Sequence, residues 1–145
     1  MDFNKLQHLL DGIASIDRAE DAETVVSIFS NIASSYGFSS YCILRMDNPA
    51  RVPPERALRV ANWPADYLDH RIKEPSYRLH DPVLSMAMRC RRPFFWHEAQ
   101  ETADKIGLKV MNESREFGLE KGLAYPIHDT SGIPGIVSLS YSDAE

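Results

Sequence analysis

Leu123-Ala124-Tyr125-Pro126-Ile127-His128, Asp129-Thr130-Ser131-Gly132-Ile133-Pro134 and Gly135-Ile136-Val137-Ser138-Leu139-Ser140-Tyr141 follow one another near the end of the chain, and their reading decides the fold class. Two strand-like runs flank six residues rich in turn formers, so an antiparallel hairpin is the natural connection. Upstream, Ser40–Met46 and Ala57–Ala61 are also strand-like, separated by a loop from Asn48-Pro49 to Pro53-Pro54. No helical period lies between the members of either strand pair, so βαβ alternation is absent and a mainly antiparallel sheet follows.

The rest of the chain reads as helix. From Phe3 to Tyr36 apolar residues recur at three- and four-residue steps, which predicts two helices with a break near Ser15-Ile16-Asp17 and an end at Gly37. Trp63–Glu74 reads as a helix with Pro64 in its first turn, closed by Pro75. Asp81 can cap a further helix whose first position is Pro82 and whose body runs from Val83 to Arg91. After Phe94-Phe95-Trp96 the pattern is helical from His97 to Phe117, with Gly118 and Gly122 ending it. The expected fold is α+β: an α-β-α sandwich with a central, mainly antiparallel sheet flanked by helices on both faces, forming one domain over residues 1–145.

The 145 residues are 43% apolar and 26% charged, enough to bury one core. A formal charge of -5 offers no overall attraction for a phosphate backbone, and the basic residues never run beyond Arg89-Cys90-Arg91-Arg92. Cys42 and Cys90 are the two cysteines, so neither a disulfide framework nor a zinc site is signalled, and a cytoplasmic location fits. The N-terminus lacks a basic patch followed by an apolar run, so no membrane association is expected. No GxSxG, HExxH, phosphate-binding glycine loop or GxGxxG is present among the seven glycines, which lowers the prospect of an enzyme. His80 beside Asp81 is the one adjacent acid and base, and reads as a surface histidine next to a helix cap. No catalytic residue, cofactor or metal site is expected.

One constellation does carry chemistry. Trp63, Tyr67 and Arg71 stand at four-residue steps, so an indole N–H, a phenol and a guanidinium can share one helix face while Leu68 and Ile72 pack on the sheet. That suits a mostly apolar ligand with a small polar head; equally, the three are amphipathic side chains with their tips in solvent. Asp81 is either a plain helix cap or a buried carboxylate that needs a donor. Trp96 is most simply core, and Ser138, on the strand face shared with Ile136 and Ser140, is a solvent-facing or a pocket hydroxyl.

Taken together, Asn62-Trp63-Pro64-Ala65-Asp66-Tyr67, Ser76-Tyr77, Asp81-Pro82-Val83, Pro93-Phe94-Phe95-Trp96, Phe117-Gly118-Leu119-Glu120-Lys121-Gly122-Leu123, Pro126 and Gly135–Ser140 resemble the autoinducer-binding domain of LuxR-type quorum-sensing regulators. The resemblance implies a pocket between sheet and helices for an N-acyl homoserine lactone. It matches Asp81 to the residue that accepts from the ligand amide, Trp96 to the tryptophan at the lactone, and Ser138 to a serine that reaches the acyl carbonyl, with Val83 in the Asp-Pro motif. Anchored on Pro64, Trp63 stands where the family has tyrosine, Tyr67 where it has the lactone-carbonyl tryptophan, and Arg71 where it has a second tyrosine. The other alignment matches Trp63 and Tyr67 to the family's Trp-x-x-x-Tyr pair but needs a larger insertion before Asp81, so the alignment anchored on Pro64 is preferred. In either, an arginine facing an acyl chain needs its own acidic or carbonyl partner, and points to a more polar ligand.

The implied function is a sensor that couples a small-molecule signal to folding and homodimerisation. DNA would be bound only through a helix-turn-helix domain that is not in this chain. Two other readings follow from the same residues: a short dimerisation partner that sequesters a full-length regulator, and a small lactonase using Asp81 and a histidine. On this view Asp81→Asn weakens ligand binding and spares the unliganded fold.

Overall fold

Asp2 and Asp21 start the first two helices, each accepting a backbone N–H from three residues on: Lys5 at 3.1 Å and Thr24 at 2.7 Å. A computed structural model describes residues 2–46, 59–74, 79–128, 132 and 134–141, which form two units, Met1–Ser39 and Ser40–Glu145. The first unit holds α1 (Phe3–Arg18) and α2 (Ala22–Ser35). Their break lies at Ala19, four residues past Ser15. Ser15-Ile16-Asp17 contains neither glycine nor proline, and it is the cap at Asp21 that sets where the next helix begins. Gly37, at φ +90°, ends α2 as expected.

In the second unit five strands form one sheet in the order β2-β1-β5-β4-β3. They are β1 (Phe38–Arg45, which starts in the first unit), β2 (Arg59–Ala61), β3 (Phe94–Phe95), β4 (Lys121–Ile127) and β5 (Gly135–Tyr141). The β1–β2, β3–β4 and β4–β5 pairs are antiparallel. Met46 N bonds Pro134 O at one end of the β1–β5 pair and the Ser40 and Ser140 hydroxyls meet at the other, so this pair is antiparallel too. The α+β class, the antiparallel sheet and the C-terminal hairpin are as the sequence predicts. The loop from Asn48 to Pro54, Ala57, Ser76-Tyr77 and most of the hairpin turn lie outside the described residues, as does the side chain of Ile72.

The helices of this unit that bear on the site are α3 (Ala65–Lys73), α4 (Pro82–Arg89), α5 (Trp96–Gln100) and α6 (Lys105–Glu116). Three boundaries differ from expectation. Trp63 is outside α3, because a residue followed by proline is kept out of the helical region, and Pro64 sits at the cap with ψ 135°. Helix α4 stops at Arg89, with Cys90 already extended toward β3 and the His128 ring nitrogen against the carbonyls of Ala87 and Cys90. The single helix expected over 97–117 is two. Thr102 Oγ1 donates back to Ala99 O, and Asp104 caps α6 by accepting from Gly107 N at 2.7 Å. Gly118 ends α6 at φ +85°, whereas Gly122 lies within β4.

Alternation along β4 and β5 selects the buried face: Gly122, Ala124 and Pro126 on one strand, Ile136, Ser138 and Ser140 on the other. The register places Phe94, Ala124 and Ser138 in one row across three strands. Tyr67, Ala87, Phe94, Trp96, Ala99, Leu119, Ala124 and Ile136 form the buried cluster over that row, with Trp63, Val83, Leu84, Met111 and Phe117 packed against it.

Candidate functional site

Helix α3 places Tyr67 and Arg71 one turn apart on the same face. The Tyr67 ring is fully buried between Trp63, at a centroid distance of 5.4 Å, and Phe117, at 5.1 Å. Its hydroxyl donates to Ser114 Oγ at 3.2 Å and accepts from Arg71 Nη1 at 2.8 Å. Ser114 donates in turn to Val110 O, one turn back along α6. Helix α3 is tied to α6 a second time by His70 and Glu113, at 2.8 Å.

Arg71 Nη2 donates to Asp81 Oδ2 at 2.6 Å, with both side chains almost excluded from solvent. The other carboxylate oxygen, Oδ1, accepts from Val83 N at 2.9 Å and Leu84 N at 3.3 Å. Both readings of Asp81 therefore hold: it caps α4, and it is a buried carboxylate whose donor comes from this chain. Burial by itself would lower the Arg71 pKa, but the Asp81 carboxylate and the Tyr67 phenol outweigh it and hold the guanidinium above its ordinary value. The acidic partner that Arg71 requires is Asp81.

A second polar pair lies over the sheet. Trp96 Nε1 donates to Ser138 Oγ at 2.9 Å, and both residues are buried. The indole rests on Gly122, where an added Cβ would come within 2.5 Å of the Trp96 Cε2 atom and of Leu139 O. Ser138 is thus an inward hydroxyl, and Trp96 is core with a polar tip. Trp63 differs: its Nε1 is buried and has no hydrogen-bond partner among the described residues.

The seven residues singled out from the sequence fall into two hydrogen-bonded groups, Tyr67 with Arg71 and Asp81, and Trp96 with Ser138, connected through the apolar cluster that holds Tyr67 and Trp96 and packs Trp63 and Val83 against them. Tyr67, Arg71 and Asp81 are joined by hydrogen bonds, Val83 by its backbone N–H, Trp63 by its ring, and Trp96 with Ser138 through the shared cluster. Ser114 escaped sequence reasoning, and Phe117 entered it only as the start of the Phe-Gly-Leu block, not as a wall of the site. The signal was present, since Val110, Ser114 and Phe117 recur at helical spacing. His80 pairs with Asp104 at 2.9 Å, on the cap of α6 and away from its sequence neighbour. Among the described residues no helix is long and apolar enough to cross a membrane.

A family model described as the autoinducer binding domain matches residues 21–145. Among curated relatives, the transcriptional activator protein BjaR1 of Bradyrhizobium diazoefficiens is 28% identical over 106 residues, which cover 72% of this chain and 43% of that protein. The chain thus spans under half the length of that relative. Among solved structures, the N-acylhomoserine lactone dependent LuxR family transcription factor CepR2 from Burkholderia cenocepacia superposes with a TM-score of 0.79 at 20% identity, over 99% of this chain and 81% of that one. SdiA, an Escherichia coli protein, in complex with octanoyl-rac-glycerol gives 0.71 at 19% identity, over 100% of this chain and 57% of that one. These likenesses carry the fold, and the family match spans most of the sequence: the chain belongs to the autoinducer-binding domain family of the LuxR-type regulators.

Proposed function

We propose that this chain is the signal-sensing domain of a LuxR-family transcriptional regulator, taking an N-acyl homoserine lactone or a related acyl signal at Trp63, Tyr67, Arg71, Asp81, Val83, Trp96 and Ser138. The observation that carries this reading is a set of buried polar groups inside an apolar cluster, one of them the Trp63 N–H, which has no partner among the described residues. A buried donor left unpaired costs about 1–3 kcal/mol, so a ligand acceptor beside Trp63 would recover what folding leaves unpaid. An apolar wall with a few fixed polar groups suits an acyl chain with a compact polar head. The related CepR2 is described as N-acylhomoserine lactone dependent, and SdiA holds an acylglycerol.

Occupancy of the site would be coupled to folding and homodimerisation, and DNA would be reached through a domain other than this one. A hydrolytic reading that uses Asp81 and His80 as acid and base is disfavoured because the Asp81 carboxylate is ion-paired with Arg71 and caps α4, while His80 is directed to Asp104 instead. The test is thermal unfolding of the chain against acyl homoserine lactones and acylglycerols of graded chain length. A ligand at 100 times its dissociation constant adds about 2.7 kcal/mol, a rise of several degrees for a domain this size. A shift that depends on chain length is expected; no shift with any acyl compound refutes the reading.

A further inference from the structure

An ionised carboxylate offers about four lone-pair positions to donors. On Asp81 the backbone N–H groups of Val83 and Leu84 share Oδ1, and the Arg71 guanidinium holds Oδ2 at 2.6 Å. Arg71 is fixed there from its other side as well, by Nη1 donating to the Tyr67 hydroxyl at 2.8 Å. An incoming ligand N–H therefore meets a carboxylate whose charge is already compensated and whose one remaining position adjoins a guanidinium contact.

Donors, by contrast, are in surplus. The guanidinium has five N–H groups, of which two are engaged among the described residues, by Tyr67 and Asp81. The Trp63 N–H is buried with no partner among the described residues. Arg71 and Asp81 together are neutral, so a charged ligand would bring an uncompensated charge into the site.

We propose that Arg71 takes, from within the chain, the place on Asp81 that a ligand N–H would fill, so that the site reads a neutral acyl ligand through its hydrogen-bond acceptors and not through an amide donor. The proposal rests on the acyl-signal reading above and makes Arg71 a specificity-determining residue. Acyl esters, which lack an N–H, are accepted as readily as the corresponding amides.

The test is a matched pair: N-octanoyl homoserine lactone and the octanoate ester of the corresponding hydroxy-lactone, in which oxygen replaces the amide N–H. Calorimetric titration of the unmodified chain is expected to give dissociation constants within about threefold of each other. A ligand hydrogen bond to an uncompensated carboxylate would separate them by about tenfold or more in favour of the amide. A tenfold amide preference overturns the proposal and leaves the acyl-signal reading standing. Failure of both compounds, across all chain lengths, removes that reading and the proposal with it. Arg71→Met, which uncovers Asp81, is expected to create the tenfold amide preference, and an unchanged ratio in that variant overturns the proposal. The comparison in the unmodified chain decides the question even if the variant does not fold.

Discussion

Asp81→Asn is the substitution that most directly tests how the site is held together. The asparagine side-chain oxygen can still accept from the Val83 and Leu84 N–H groups, so the cap of α4 largely survives. What is lost is the counter-charge of Arg71, whose side chain is only 13% exposed. Removing one partner of a buried ion pair costs about 3–5 kcal/mol, because the other charge stays buried and uncompensated. Against a total stability of about 5–15 kcal/mol this is a large share, and at roughly 3 °C per kcal/mol it lowers the melting temperature by roughly 10–15 °C. On this geometry the unliganded fold is expected to be destabilised by Asp81→Asn, whereas the sequence alone gives the expectation that it is spared, because the sequence does not show Arg71 leaning on Asp81. Arg71→Met combined with Asp81→Asn removes both charges and is expected to cost about 1–2 kcal/mol, less than Asp81→Asn alone. Urea denaturation of the parent, both single variants and the double variant gives the coupling directly, provided the slopes agree. A cost for Asp81→Asn below about 1 kcal/mol, or a double variant as costly as the two single ones summed, would show that the pair does not hold as described.

Two further outcomes follow from the same geometry. Trp96→Phe keeps an aromatic ring over Gly122 but removes the N–H that Ser138 accepts, and should cost roughly 1–3 kcal/mol in chemical denaturation; a cost indistinguishable from zero would mean that the buried bond contributes nothing. The Asp104 carboxyl is held below the ordinary aspartate range, first by the Gly107 backbone N–H and then by the His80 side chain. Its stabilisation is therefore present above the unfolded aspartate value and is lost as pH falls through the lower folded value. Carboxyl NMR titration should find its midpoint below that of an unstructured aspartate, and Asp104→Asn should flatten the acid limb of stability; an ordinary midpoint would contradict the cap and the His80 contact.

Much of the fold was legible because its signals are local. Asp81-Pro82 marks the start of α4, Gly37 and Gly118 mark helix ends, and the turn residues between Ile127 and Gly135 announce the hairpin, each through backbone preferences that act within about four residues. Where local signals compete, the reading slipped. The 97–117 pattern hid the cap at Asp104, and Phe94-Phe95 became a strand only because β4 lies beside it.

For the site, the sequence by itself determined which side chains carry donors and acceptors, and family membership follows from that same string of motifs. Only the tertiary structure decided who pairs with whom: Trp96 with Ser138 across 42 positions, Tyr67 with Ser114 across 47, and Arg71 with Asp81 from separate helices. The physical reason is that helix caps and turns are satisfied by near neighbours along the chain. A buried polar side chain must instead be satisfied by whatever the packing of apolar faces brings against it, and no local pattern encodes that partner.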